Sequence, residues 1–327
     1  MPDKCVELDL KDRKILYELS LNARLPLSVI AKKVGLSKQV VKYRLNSLEK
    51  RGVICGYYAI LDVSKFGFLY HRAFFKYSRI LEKDENDILE YGRSHPNVGW
   101  IAILDGDWDL ALNFLVSDVV DFERVLGDIG AKYGEYFQSR YVSIATKIHH
   151  LKYKFFLNKN ADDDLVLGGK PVSLRLDDVD YKLIEILSSN ARMPTVEIAV
   201  KLGCTSSVVK YRIRKLVDTG VILGFNYRLD HKLLGYTHHK VNLNFSNTDP
   251  KRVRQLVNYL RADVRVIYIT EVVGSVDLEF ETLTRTYEDL HELMRDIRFR
   301  FSDILRDFST FIMYHEEFSY LPMFKKV

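Results

Sequence analysis

The chain is poor in the features that mark several protein classes. It has three cysteines, Cys5, Cys55 and Cys204. That is too few and too scattered for a disulfide framework or a zinc site, and the usage fits a reducing compartment. Cys204 aligns with Leu36 and Cys55 with Leu223 in the internal repeat described below. Both are therefore expected as small buried apolar residues. No apolar run approaches the roughly 18 residues that a membrane span needs. The opening MPDKCVELDLKD lacks the apolar core of a secretion signal, so a cytoplasmic protein is expected. The GxSxG, HExxH, P-loop and dinucleotide-binding fingerprints are missing. The expectation is no enzyme, with no catalytic residues, metal or cofactor.

What is present is repetition. The string VVKYR occurs at Val40–Arg44 and again at Val208–Arg212. At an offset of 168, residues 8–67 match 176–235 without a gap, with 27 identities in 60 positions. The offset persists further on at Gly106/Gly274, Asp109/Asp277 and Leu110/Leu278. A period this long marks a duplicated domain pair and not a solenoid. The net charge of +5 is concentrated in the repeated blocks: residues 1–55 carry +6 and 171–224 carry +2, leaving −3 elsewhere.

Each unit has two parts. The first reads as three helices and a strand. Asp9 and Asp177 are N-caps, with Asp12 and Asp180 at N3. Pro26 opens a second helix that Gly35 closes. Ser37, or Thr205, caps a third helix ending before Gly52, and VICGYYAILD follows as a strand. The second part alternates as βαββαβ. In THHKVNLNFS, Val241, Leu243 and Phe245 alternate with Lys240, Asn242 and Asn244, as in a half-buried strand. The expected fold class is α+β: two tandem units, each a winged helix-turn-helix followed by a ferredoxin-like βαββαβ sandwich. The boundaries are 1–66, 67–157, a polar linker at 158–172, 173–235 and 236–327.

In the third helix Val40, Val41, Leu45 and Leu48 are expected to face the core. Lys38, Gln39, Lys42 and Tyr43 remain outside near the helix start, as do Ser206, Ser207, Lys210 and Tyr211 in the second copy. These are the positions a recognition helix offers to double-stranded DNA. Lys reaches guanine or phosphate, Gln pairs with adenine, and Tyr meets phosphate or a thymine methyl. Arg44 and Arg212 are assigned to the DNA backbone. A solvated basic face is the bland alternative. Arg24 and Arg192 are read as cations at helix C-termini, structural first.

These runs, with their Asp-x-x-Asp start, Asn-Ala-Arg and Gly-Val-Ile-x-Gly exit, resemble the N-terminal domain of Lrp/AsnC transcription regulators. The βαββαβ halves resemble that family's effector-binding and oligomerisation domain. The resemblance implies a sequence-specific regulator that forms homo-oligomers through its ferredoxin-like domains and responds to a small molecule, commonly an amino acid. Carried over by position, it places the effector at Gly106, Asp107, Trp108 and Asp109, and at Gly274, Ser275 and Asp277. A plain hairpin turn is the alternative there. Two units in one chain imply a covalent pseudo-dimer whose heads read unequal half-sites. Two other classes remain open. One is a sequence-tolerant DNA-bridging protein. The other resembles sirohaem decarboxylases, which share this build and work with histidines in the sheet domain. Here only His71 and His239 coincide between copies.

Overall fold

The computed structural model describes residues 5–159 and 164–319. The first unit runs α1 (Leu10–Leu21), α2 (Leu27–Val34), α3 (Lys38–Lys50) and β1 (Ile54–Leu61). It continues with β2 (Leu69–Tyr77), α4 (Glu82–Ser94), β3 (Val98–Asp105), β4 (Leu110–Val116), α5 (Val119–Tyr133) and β5 (Phe137–His150). A short β6 (Leu165–Gly168) follows. The second unit runs α6 (Asp178–Ser189), α7 (Thr195–Leu202), α8 (Ser206–Asp218), β7 (Ile222–Leu229), β8 (Thr237–Phe245), α9 (Pro250–Ala262), β9 (Val266–Gly274), β10 (Leu278–Thr284), α10 (Tyr287–Arg300) and β11 (Leu305–Phe318). The α+β class and the two tandem units stand as expected.

The local signals act as the sequence indicates. The Asp9 carboxylate accepts from the Asp12 amide at 2.7 Å, and Asp177 does the same for Asp180 at 2.8 Å. Ser37 and Thr205 cap α3 and α8 by accepting from Val40 and Val208. Gly35 and Gly203 leave α2 and α7 in the left-handed region, where glycine carries no Cβ penalty.

The wings do not serve their own units alone. β1 pairs antiparallel with β7, placing Tyr57 opposite Tyr227, and the two form a two-stranded ribbon between the heads. Ala59 and Leu61 of β1 pack into the core of α6–α8, whereas Tyr227 of β7 packs into the core of α1–α3. The Tyr227 hydroxyl donates to the Leu16 carbonyl at 3.1 Å. Arg24 and Arg192 cross the same boundary. Arg24 donates to the Ala191 carbonyl and Arg192 to the Ala23 carbonyl. Their guanidiniums also lie over Phe225 and Tyr57, at 5.4 and 5.3 Å. Both arginines are structural, but they meet the opposite head's carbonyls and not their own helix ends.

The two ferredoxin-like halves close a barrel. Strand order is β2-β4-β3-β11-β8-β10-β9-β5, every pairing is antiparallel, and β5 pairs back onto β2. The seams between halves are β3–β11 and β5–β9. Part of the expected linker is therefore strand: β6 adds to β5 outside the ring, with Lys147 opposite Gly168. Residues 160–163 of that segment lie outside the described residues. Helices α4 and α5 cover one outer face, over Phe75, Leu112 and Phe114. α9 and α10 cover the other, over Val241, Leu243 and Phe280.

The inner faces meet in a lumen. One end is apolar, with Phe74, Ala102, Ala111, Tyr141 and Phe311. The middle is charged. Arg72 on β2 makes a two-pronged bond to Glu279 on β10, at 2.7 and 2.8 Å, between strands that are not neighbours. Lys240 lies 2.8 Å from both Glu279 and Glu281. His238 meets Glu281 at 3.1 Å and Glu316 at 3.4 Å, and the Trp100 indole donates to Glu316 at 3.0 Å. Lys240 and Asn242, read from the alternation as the wet side of a strand, are 1% and 2% exposed. The opposite sheet covers them.

Glu279 is fully buried between two cations. Glu279→Ala would leave Arg72 without its carboxylate, at a cost of about 3–5 kcal/mol. Urea unfolding followed by circular dichroism is expected to show that loss as a lower midpoint.

Candidate DNA interface and ligand cavities

The recognition helices follow from their caps and one apolar stripe. In α3, Val41, Leu45 and Leu48 are buried, at i, i+4 and i+7. Val40 lies about 100° around the helix from Val41. It is 40% exposed, and Val208 is 38% exposed. The expectation that both valines of VVKYR enter the core thus fails for the first of each pair. Lys38, Gln39, Lys42 and Tyr43 are exposed, Tyr43 at 76%. In α8, Ser207, Lys210 and Tyr211 are exposed and Ser206 is half-buried. Arg214, which the sequence reading passed over, is exposed on the same helix. It follows Lys210 by one turn, and that spacing was its available signal.

Arg44 and Arg212 are not free toward solvent. Arg44 donates to Asp9 at 2.7 Å and Asp12 at 2.8 Å. Arg212 donates to Asp177 and Asp180 at 2.8 and 2.7 Å. The helix-capping carboxylates of the first helix thus hold the arginine of the third. Hydrogen bonds, to Asp12 first for Arg44 and to Asp177 first for Arg212, raise both arginines above their ordinary value. The geometry makes these two residues braces that orient the recognition helix.

The two hairpin turns lie at the barrel seams. Asp109 accepts from the Tyr77 amide at 2.6 Å and pairs with Lys76 at 2.8 Å. Asp277 accepts from the Phe245 amide at 2.6 Å. A Cβ on Gly106 would stand 3.1 Å from Phe311 across one seam, and on Gly274 2.6 Å from the Val142 carbonyl across the other. Trp108 packs on Tyr141 at the apolar end of the lumen. Asp107 and Ser275 are exposed. Gly106, Asp109, Gly274 and Asp277 thus take part in joining strands.

Two cavities open at the other end of the barrel, and none of the turn residues lines them. The inner one, about 130 Å³, takes wall residues from all eight ring strands. Tyr58, Ile60 and Leu61 of β1 form its lid. The outer one, about 580 Å³, lies between β7 and β11 and shares Tyr58, Tyr268, Glu316 and Phe318 with it. His231, His238 and His315 border the outer cavity. Burial, and then the neighbouring His238, push His231 down to about 3. Burial likewise takes His150 in the inner cavity to about 3. His149 and His150 point to opposite faces: His149 pairs outside with Asp164 and Glu271. Cys55, expected inside, is exposed on the outer cavity's rim, and Cys204 is half-buried. The described residues hold no cluster of three or more metal-ligating side chains, and no helix among them is long and apolar enough to cross a membrane.

Two helix-turn-helix heads braced on one sheet body define a two-headed DNA-binding protein of the transcription-regulator class. Residues 8–54 match the winged helix-turn-helix DNA-binding profile, and 176–217 match the AsnC-type helix-turn-helix domain. The proline dehydrogenase transcriptional activator of Rhodobacter capsulatus is 32% identical over 124 residues, 37% of this chain and 79% of that protein. The regulator LrpA of Pyrococcus horikoshii is 34% identical over 97 residues, 29% of this chain and 67% of that protein. The chain belongs to the Lrp/AsnC family, in a tandem form that carries two units. In overall fold it is also similar to the sirohaem decarboxylase NirDL, with a TM-score of 0.62 over 97% of both chains at 14% identity.

Two outcomes follow from the braces and from His238. Arg44→Ala is expected to lower head stability by about 1 kcal/mol, since its partners are partly exposed, while Lys42→Ala leaves the melting temperature unchanged. Differential scanning calorimetry separates them. For His238, burial opposes the charge, but hydrogen bonds to Glu281 and Glu316 outweigh it and raise the pKa to about 9. A raised pKa stabilises the fold fully below the unfolded value of about 6.5 and loses that contribution as pH climbs through about 9. Stability should fall between pH 7 and 9.5, roughly the window those values set, and His238→Gln should flatten that slope.

Proposed function

We propose that this chain is a sequence-specific transcription regulator that grips DNA with two unequal heads and responds to a small molecule, such as an amino acid. The observation that carries the reading is the pair of capped, braced helices α3 and α8. Each presents a Lys-Tyr pair to solvent from a fixed frame. Head one adds Lys38 and Gln39 where head two has Ser206 and Ser207, so the half-sites differ and the operator need not be palindromic. The β1–β7 ribbon and the crossed arginines tie the two heads together, and such a pair on one duplex face would make contacts about 34 Å apart. Association through outer faces of the barrel would build larger assemblies from this unit. The seams used for pairing within the chain are already occupied.

A second reading rests on the outer cavity. The Nε2 atom of His231 is buried and unpartnered, and about 580 Å³ lies beside it. NirDL, the protein of similar fold, has a structure in complex with an iron-uroporphyrin III analogue. Against this, Asp230, Glu316 and Glu317 share the wall with Arg228 and Lys232. Even with the protonated His238 counted, a polycarboxylate would meet three anions and three cations there. An absorbance titration with an iron porphyrin tests it: a shifted, saturable Soret band supports this reading, and an unchanged free-porphyrin spectrum removes it.

The main reading is tested by pulling fragments of genomic DNA through the purified chain at two salt concentrations. A few fragments should survive the higher salt and vanish with Lys42→Ala plus Lys210→Ala. The salt slope of the double variant should fall by about one unit per phosphate contact removed. Uniform retention that collapses with salt would mark a DNA-bridging protein instead.

A further inference from the structure

We infer that the inner cavity of the barrel is a binding site for an uncharged nitrogen heteroaromatic, a flat ring with hydrogen-bond donors and acceptors on its edge.

Three side chains on its wall carry polar atoms with no partner. They are the Arg72 Nε, the Asn113 Oδ1 and the His150 Nδ1. Arg72, Asn113 and His150 are 5%, 5% and 3% exposed. Buried polar atoms are nearly always paired, and an orphan costs about 1–3 kcal/mol. Three orphans around one cavity are a recognition pattern: one acceptor and two donors, the second being the His150 Nδ1–H, because the ring's Nε2 accepts from the Asn226 amide. Tyr58, Trp100 and Tyr268 supply flat aromatic surface around the same space.

The charge of the lumen sets the rest. Arg72, Lys240 and His238 stand against Glu279, Glu281 and Glu316, each paired. Three cations and three anions cancel. A carboxylate or an ammonium ligand would be desolvated there with no counter-charge left to meet it. An uncharged ring loses little on entry and satisfies the orphans. Such a ring needs no net charge from the protein, which matches what this wall leaves unused. The outer cavity adjoins this one, the two sharing Tyr58 and Tyr268 on their walls.

Water is the rival occupant, because about 130 Å³ is room for roughly four molecules. The site stands apart from the DNA reading, so its test uses no DNA. Saturation-transfer NMR on the full chain would use adenine and nicotinamide as probes, with benzoate and propylamine as charged controls. The expected result is saturable binding of a heteroaromatic probe and none of the controls. Asn113→Leu and His150→Phe should each weaken it about tenfold, the value of one hydrogen bond of about 1.4 kcal/mol. No saturable heteroaromatic binding, benzoate binding as tight as adenine, or full affinity in folded variants would each overturn the proposal. Should the variants fail to fold, quenching of Trp100 in a Trp108→Phe chain, where it is the remaining indole, decides. Saturable quenching by adenine that nicotinamide competes away, but benzoate does not, supports the site. Its absence refutes it.

Discussion

A four-stranded ferredoxin-like sheet has two edges, and each edge presents a row of unsatisfied backbone groups. That constraint governs the molecule. The edges of the first half, β3 and β5, are satisfied only by β11 and β9 of the second. Two edge pairings close the ring, and closure creates an interior. The glycines at 106 and 274 lie where the other half comes within about 3 Å of a Cβ position. The heads follow suit, because each completes its core with the other's wing. The unit of folding is the pair, although the sequence spells it as one unit after another.

Much of this was legible. Caps, the glycine stops and the 168-residue offset place the helices, and the alternation of Val241, Leu243 and Phe245 marks the helix-covered face of β8. What escaped is long-range. Alternation tells which residues share a face but not what covers the other face, so Lys240 and Asn242 read as solvated. The first valine of VVKYR misled, because residue type alone does not separate a valine 100° off the stripe from one on it. Nor does residue type announce that the arginine reaches back to the caps of the first helix. The arginines after Asn-Ala looked like local caps because the sequence does not announce that a second head will supply the carbonyls.

The lumen also shows what duplication in one chain permits. Position 72 corresponds to 240, and 113 to 281. The first pair is cationic in both units, as Arg72 and Lys240, whereas the second is Asn113 in one and Glu281 in the other. Both carboxylates that hold these cations, Glu279 and Glu281, come from the second unit. In a symmetric pair of identical subunits every luminal group would be present twice, and an uneven set of this kind would be impossible. Covalent linkage lets one half specialise as the acid and the other accept it.

Ring closure has a further consequence in time. Strand β11, residues 305–318, is the last of the ring to be synthesised, and it supplies one of the two seams. As the chain emerges from the ribosome, a first half finished at His150 must wait 168 residues, until Phe318, with β3 uncovered. Nascent chains on neighbouring ribosomes offer one another the same open edge. The order of translation thus makes premature pairing between half-made copies the principal hazard of biogenesis.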